Sequence, residues 1–187
     1  MNKKFCINCR FSKKSKCLIY GELRNKVKKH IDLLILGEAP GATEEKLNKV
    51  FVGKSGRLLR YVLQQNLNPE ITYFITNCLE CRPTNNQTPN LLDLKNCKHK
   101  LLNKINLFRP KIILTLGKTA LYNILKVEIL SFTKIILNNQ YSIVKIEDKN
   151  IIIVPNFHPA YLLYSKNQHM ETFILKIKII NKLLLKF

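Results

Sequence analysis

Three short apolar segments of this chain each end in polar or Gly/Pro-rich residues, and this arrangement constrains the fold more than any other feature. Residues 33–36 lead into Gly37-Glu38-Ala39-Pro40-Gly41, residues 73–75 into Thr76-Asn77, and residues 151–154 into Pro155-Asn156-Phe157-His158-Pro159. Buried strands that end in this way are typical of open α/β sheets, in which ligands bind outside the carboxyl ends of the strands. The pattern therefore predicts that Glu38, Asn77 and His158 converge on one pocket.

Helical periodicity fills the stretches between these segments. Apolar residues recur at helical spacing from Leu58 to Leu63, and similar patterns follow at 91–105, 120–125 and 170–184. Strands that alternate with helices favour parallel pairing and right-handed crossovers. The predicted fold class is α/β, a three-layer α/β/α sandwich with a central, mainly parallel sheet of about four strands. The predicted strands are 31–36, 71–75, 111–116 and 151–154.

The rest of the chain fits a single domain over residues 1–187, long enough for one sizeable core. Residues 1–30 are rich in lysine and carry a Cys-x-x-Cys, which predicts an irregular arm attached to the domain by whatever its cysteines bind. Residues 135–146 alternate loosely around Asn138-Asn139 and indicate a hairpin or a strand at the edge of the sheet.

Charge and hydropathy narrow the classes of partner. The chain carries 32 Lys and Arg against 12 Asp and Glu, a net charge of +20, which favours binding to polyanions such as DNA. An AT-rich genome would impose the same excess of Lys, Ile and Asn on any protein, so charge alone leaves both explanations open. No charge-free apolar stretch reaches the roughly 18–20 residues of a membrane span, and no apolar run follows the basic N-terminus. We therefore expect a cytoplasmic protein without a membrane partner.

Four motifs follow one another along the chain. They are Gly37-Glu38-Ala39-Pro40-Gly41 with Glu44-Glu45 and Val50-Phe51-Val52-Gly53-Lys54-Ser55-Gly56-Arg57-Leu58-Leu59; Tyr73-Phe74-Ile75-Thr76-Asn77-Cys78-Leu79-Glu80-Cys81-Arg82-Pro83; Phe108-Arg109-Pro110 through Leu116-Gly117; and His158-Pro159-Ala160-Tyr161-Leu162-Leu163. With these motifs in this order, the chain resembles the family 4 uracil-DNA glycosylases, the iron–sulfur type, over nearly its whole length. It departs from the family where Val50 replaces a proline, Asn48 a glycine and Tyr164 an arginine, and it has no tryptophan.

The resemblance implies an enzyme that hydrolyses the N-glycosidic bond between uracil and deoxyribose in DNA, which leaves an abasic site and starts base excision repair. A base inside a duplex must be flipped out before a pocket can reach it. Uracil leaves as an anion with charge on O2 while the sugar becomes cationic. The site therefore needs a donor at O2, a reader of the base edge, a stacking ring and an anion or water near the sugar.

By the same resemblance, each role has a candidate. His158 would donate a hydrogen bond to O2, Asn77 would read uracil N3–H and O4 together, and Phe51 would stack on the flipped ring. Glu38 would position the attacking water or offset the charge on the sugar. The other uracil contacts that the resemblance implies are Ala39, Pro40, Gly41 and, near C5, Glu44.

The DNA contacts follow from the same comparison of motifs. Leu162 and Leu163 would press an apolar wedge into the DNA where the base leaves. The candidates for phosphate contacts are Lys54, Arg57, Lys118 and, in place of the missing arginine, Lys166. Taken singly, each site residue has a plainer interpretation, since strand-end asparagines form turns and phenylalanines fill cores. The four ordered motifs together favour the enzyme, expected to be a monomer that acts on single- or double-stranded DNA.

Six cysteines in a chain that we expect to be cytoplasmic favour a metal or a cluster over disulfides. Spacing alone permits zinc on two Cys-x-x-Cys pairs, formed by Cys6, Cys9, Cys78 and Cys81. The resemblance instead implies a structural 4Fe–4S cluster on Cys6, Cys9, Cys81 and Cys97, with Cys17 and Cys78 as free thiols and no catalytic metal.

Two other functions stay open at this point. One is a catalytically inactive DNA-binding module on the same fold, and the other is a glycosylase for another damaged base, such as hypoxanthine or a mismatched thymine. An intact set of Glu38, Asn77 and His158 favours an enzyme, and Asn77 favours uracil.

Overall fold

A mixed sheet of six strands forms the middle of the molecule. The structure is a computed structural model that describes residues 6, 9–11, 18–25, 30–126, 131–138 and 141–187. The strands are β1 (Glu22–Arg24), β2 (Leu33–Gly37), β3 (Tyr73–Asn77), β4 (Ile112–Leu116), β5 (Ser142–Ile146) and β6 (Lys149–Asn156). They lie in the order β1-β3-β2-β4-β6-β5.

Helices connect these strands. They are α1 (Ala42–Leu47), α2 (Lys54–Asn66), α3 (Leu91–Phe108), α4 (Lys118–Leu125), α5 (Phe132–Leu137), α6 (Pro159–Tyr164) and α7 (Met170–Leu184), with a short 3-10 turn at Thr84–Asn86. None of the helices described in the structure has the length and apolar character needed to cross a membrane.

Two apolar cores, one on each face of the sheet, explain the layered fold. Alternate residues of a strand point to opposite faces, and in β2 Leu33 and Ile35 join one core while Leu34 and Leu36 join the other. The first core also receives the apolar faces of α2 and α7, and the second those of α3 and α4. Because β2 is buried on both faces, its sequence is continuously apolar, as expected for a central parallel strand.

The pairing confirms the predicted fold class and extends the sheet by two strands. β2 pairs in parallel with β3 and β4, and β4 pairs in parallel with β6, which makes the predicted core of four strands. β1 and β5 pair antiparallel at the two edges. The strand β5 agrees with the predicted edge strand in the second part of 135–146, whereas residues 135–137 belong to α5, so the predicted hairpin is wrong. The arm at 1–30 is not wholly irregular, because β1 lies within it; three residues with mostly exposed side chains leave little pattern in the sequence.

Helix α2 packs so closely against the loop before it that a side chain would not fit at Gly56. A Cβ at Gly56 would lie 2.5 Å from Phe51 Cα and would clash with the Phe51 carbonyl group. The contact is with backbone, which has no flexible end that could move aside. Gly56 therefore sets the distance between α2 and Phe51.

We expect Gly56→Ala to destabilise the protein by about 1–3 kcal/mol, since overpacking a close contact costs this much. Urea denaturation followed by circular dichroism measures the change. Ser55→Ala is the matched control in the same helical turn and should change the unfolding free energy by less than about 0.5 kcal/mol. Equal stability of the two variants would contradict the close contact.

Candidate active site

The carboxyl ends of β2 and β3 meet at Gly37, and two predicted site residues lie against it. Gly37 pairs with Asn77 in the parallel register. A Cβ on Gly37 would clash with Asn77 Oδ1 and would lie 2.5 Å from Phe51 Cζ. Only glycine leaves this space. Asn77 and Phe51, which come from separate motifs, are therefore neighbours in the fold.

Phe51 has a backbone conformation that bulky residues rarely adopt. Its φ of 51° lies in the left-handed region, and such strain persists only where the surroundings hold it in place. Arg60 supplies that support, because its Nε donates to the Phe51 carbonyl at 2.9 Å and its Nη2 to the Val50 carbonyl at 2.8 Å. Arg60 also pairs with Glu22 of β1 at 2.6 Å. Sequence analysis did not find Arg60, and nothing in its motif distinguishes it from other arginines.

Glu44 ties together the two loops that flank α1. Its carboxylate accepts hydrogen bonds from the backbone N–H groups of Val52 at 2.9 Å, Gly53 at 2.7 Å and Gly41 at 3.2 Å. These three hydrogen bonds explain the carboxylate at position 44 even when no ligand is bound. The contact of Glu44 with uracil C5 stays a prediction.

His158 is held as a neutral hydrogen-bond donor. Its Nδ1 accepts from the Ala160 N–H at 3.2 Å, so the proton of the neutral ring sits on Nε2. Burial lowers the pKa of His158 to about 4, and the nearby Glu44 carboxylate offsets this shift only in part. The imidazole centroid lies 6.3 Å from that of Phe51. At neutral pH the site therefore presents a fixed N–H and no imidazolium.

Glu38 shares a cavity with His158. Its Oε2 accepts a hydrogen bond of 2.6 Å from the Thr119 hydroxyl at the start of α4, a partner that the sequence analysis missed. The cavity has a volume of about 430 Å³, and Glu38, Ala39, Thr119 and His158 lie among its lining residues. Phe51 and Asn77 do not line this cavity. They lie against Gly37, the residue before Glu38. Of the four predicted residues, Glu38 and His158 therefore line the cavity. Phe51, at 5% exposed, and Asn77, at 3%, are buried at Gly37, and Phe51 packs in the first core.

The predicted DNA contacts differ in their exposure. The four basic candidates are exposed: Lys54, Arg57, Lys118 and Lys166. Leu163 is also exposed, at 44%, and stays a candidate wedge. The prediction for Leu162 is wrong, because this side chain is 0% exposed and packs in the core. Residues 159–164 form α6, and the helix turns Leu162 inward while its neighbour faces solvent.

Five cysteines lie in the second core, on the α3 side of the sheet. They are Cys6, Cys9, Cys78, Cys81 and Cys97, all buried. Burial raises the pKa of Cys97 to about 11, with smaller contributions from Cys9 and Cys6, which places the arm beside α3. Burial likewise raises the pKa of Cys78 to about 12, but the side-chain groups that influence it are Asn123, Glu38, Cys97 and Lys104.

The described residues contain no group of three or more His, Cys, Asp or Glu side chains arranged to hold a metal ion. Cys17 lies outside the described residues. The donor chemistry nevertheless fits a cluster, since four buried thiols from the arm, the loop after β3 and α3 lie in one apolar core.

The fold and the cavity beside the carboxyl ends of the central strands define a class of protein: an α/β domain with a candidate ligand site at the carboxyl edge of a mainly parallel sheet. Residues 25–183 match the sequence profile described as "Uracil DNA glycosylase superfamily". The chain therefore belongs to the uracil DNA glycosylase superfamily.

Relatives of known name agree with this assignment. The Type-4 uracil-DNA glycosylase of Sulfurisphaera tokodaii is 35% identical over 140 residues, which are 73% of this chain and 63% of that protein. The Type-4 uracil-DNA glycosylase of Thermotoga maritima is 34% identical over 144 residues, 77% of this chain and 72% of that protein. That of Saccharolobus solfataricus is 32% identical over 164 residues, 86% of this chain and 73% of that protein. The chain thus spans just under two thirds of the first relative and more of the other two.

The environment of His158 generates a prediction about pH. Its folded-state pKa of about 4 lies below the ordinary histidine value of 6.5, so on acidification the imidazole is protonated in the unfolded chain before it is protonated in the folded one. The contribution of His158 to stability is therefore fully present above about pH 6.5 and is lost as the pH falls towards 4. An NMR titration of labelled histidine should show the His158 imidazole still neutral at pH 5. A midpoint near 6.5 would contradict the fixed neutral donor.

Proposed function

We propose that this chain is a uracil-DNA glycosylase, which hydrolyses the N-glycosidic bond of uracil flipped out of DNA and leaves an abasic site. The observation that carries the proposal is the neutral Nε2–H of His158 in one cavity with the Glu38 carboxylate. Asn77 and Phe51 beside Gly37 add a base-edge reader and a flat ring. The names of the relatives at 32–35% identity support the same activity.

The proposed reaction breaks the C1′–N1 bond, and its electron pair goes to uracil, where it is shared with O2. The Nε2–H of His158 donates to O2 as this charge develops. A donor that is already oriented costs no reorganisation during the reaction, which is the main source of electrostatic catalysis. Because the imidazole is neutral, it stabilises the uracil anion by a hydrogen bond and does not need to transfer a proton.

Glu38 acts on the other side of the broken bond. Its carboxylate is oriented by Thr119 at 2.6 Å and can accept a hydrogen bond from the water that attacks C1′. The same negative charge offsets the positive charge on the sugar. The water oxygen bonds to C1′, its proton is released by way of the carboxylate, and the uracil anion takes up a proton from solvent.

Asn77 discriminates between bases. Its amide offers one acceptor and two donors, which match uracil N3–H and O4. Cytosine presents an acceptor at N3 and a donor at N4, so the same amide would face mismatched groups. Buried mismatches of this kind cost about 1–3 kcal/mol each.

We expect His158→Ala to lower the single-turnover rate on a uracil oligonucleotide by about 10²- to 10³-fold, as loss of one oriented transition-state donor does. Asn77→Ala should lower it by about 5- to 150-fold, the equivalent of about 1–3 kcal/mol of lost contacts to the base. Alkaline cleavage of the abasic product measures the rate. Asn103→Ala, at an exposed position of α3, is the matched control and should keep the wild-type rate. Full activity of the first two variants, with the fold intact by circular dichroism, would show that the site is misassigned.

We further propose that Cys6, Cys9, Cys81 and Cys97 hold a structural 4Fe–4S cluster. Burial in the second core is common to both sets. The contributions of Cys9 and Cys6 to the pKa of Cys97, where the groups that influence Cys78 are Asn123, Glu38, Cys97 and Lys104, support this set over the zinc set. Such a cluster, when bound, would supply a cross-link between the arm and the domain. The residues proposed for cleavage lie outside the cysteine set, so no catalytic metal is invoked.

Replacing single cysteines separates the two ligand sets. We expect Cys97→Ala to lose the iron and the broad absorbance near about 400 nm, and Cys78→Ala to keep both. Iron and zinc per chain, measured by elemental analysis on anaerobically purified protein, decide the outcome. Zinc in the wild-type protein that is lost in Cys78→Ala and kept in Cys97→Ala would contradict the cluster.

A further inference from the structure

The cavity that contains Glu38 and His158 has a second, aromatic side that the proposed reaction does not use. Phe132, Phe157 and Tyr161 line it there; we call these three residues the aromatic shelf. The residues proposed to hold uracil by stacking and edge contacts, Phe51 and Asn77, lie outside the lining. Uracil held by those two residues would leave the shelf free.

Contacts between neighbouring rings hold the aromatic shelf in place. The ring centroids of Phe157 and Tyr161 lie 5.2 Å apart with the planes 23° from parallel, and Phe157 and His169 lie 4.7 Å apart at 18°. Phe132 packs edge-on to Phe157 at 6.3 Å. Phe157 is buried, whereas Tyr161 is 42% exposed. Tyr161 therefore presents a ring to the cavity on a support that cannot easily rotate.

The surroundings of the shelf indicate what kind of ligand it takes. Lys118 lines the same cavity and is exposed, and the chain as a whole carries a charge of +20. A flat aromatic surface beside a cation is the combination with which proteins bind unpaired nucleotides, by stacking the base and pairing the phosphate. An uncharged apolar ligand would make no use of the lysine.

The aromatic shelf also lies close to His158, the proposed donor to uracil. The Tyr161 N–H donates to the carbonyl of His158, the residue that caps the start of α6, at 2.9 Å. The two residues are therefore close in the fold, and both line the cavity. A strand of DNA that delivers uracil to His158 therefore brings an adjacent nucleotide close to Tyr161.

We propose that the aromatic shelf binds the base of a nucleotide adjacent to the flipped uracil, stacked on Tyr161. This inference rests on the proposed function and defines its substrate more narrowly. A neighbouring base can reach the shelf only when it is unpaired, so the enzyme prefers uracil in single-stranded or locally opened DNA over uracil in a closed duplex.

The test measures binding in the His158→Ala background, so that cleavage does not interfere. Fluorescence anisotropy gives the Kd for single-stranded oligonucleotides with one uracil and, on its 5′ or its 3′ side, either a normal nucleotide or a tetrahydrofuran residue that lacks a base. Stacking of one base contributes about 1–3 kcal/mol, so Tyr161→Ala should raise Kd about 5- to 150-fold. The tetrahydrofuran residue on one side should weaken binding of the Tyr161 protein equally and should have no further effect on Tyr161→Ala.

Tyr141→Ala is the matched control, because Tyr141 is 47% exposed, close to the 42% of Tyr161, and is outside the cavity lining. It should leave Kd unchanged. The proposal is overturned if neither tetrahydrofuran oligonucleotide binds more weakly than the normal one, a comparison that needs no Tyr161 variant and so does not depend on how that variant folds. A wild-type chain that leaves every uracil oligonucleotide intact would refute the proposed function instead, and the anisotropy result would still stand.

Discussion

The close approach of three chain segments at Gly37 is the constraint on which the rest of the site depends. Asn77 Oδ1 and the Phe51 ring occupy the space that any side chain at this position would fill. The parallel register of β2 and β3 brings Asn77 there, and the strained loop at Phe51 brings the ring. The Asn77 amide and the Phe51 ring become neighbours because one strand ends in a residue without a side chain.

Rigidity around this contact comes from three side chains that hydrogen-bond to other parts of the protein. Arg60 holds the carbonyl groups of Val50 and Phe51, Glu44 holds backbone amides on both sides of α1, and Thr119 orients Glu38. Each of these groups satisfies a polar partner that would otherwise be left without one when the loop packs. The same bonds that make the loop stable therefore also fix the geometry of the site before any ligand binds.

Much of the site could be predicted from the sequence because strand ends are local features. Glu38, Asn77 and His158 lie at the end of buried strands or within two residues after it, and parallel strands place their carboxyl ends at one edge. Arg60 and Thr119 could not be found in this way, since their partners lie 9 and 81 residues away and no pattern links them. The prediction that Leu162 contacts DNA was wrong, because the rotation of the six-residue helix α6 about its axis decides which of its leucines faces the core.

The amino-acid sequence by itself determined the alternation of strands and helices, the family and the identity of the acid, the amide and the imidazole, because each depends on neighbours close in the chain. Only the tertiary structure decided the tautomer and charge of His158, the conformation of Phe51, the two edge strands and the aromatic shelf. These depend on burial and on contacts between distant segments, and burial is a property of packing, which no local pattern encodes.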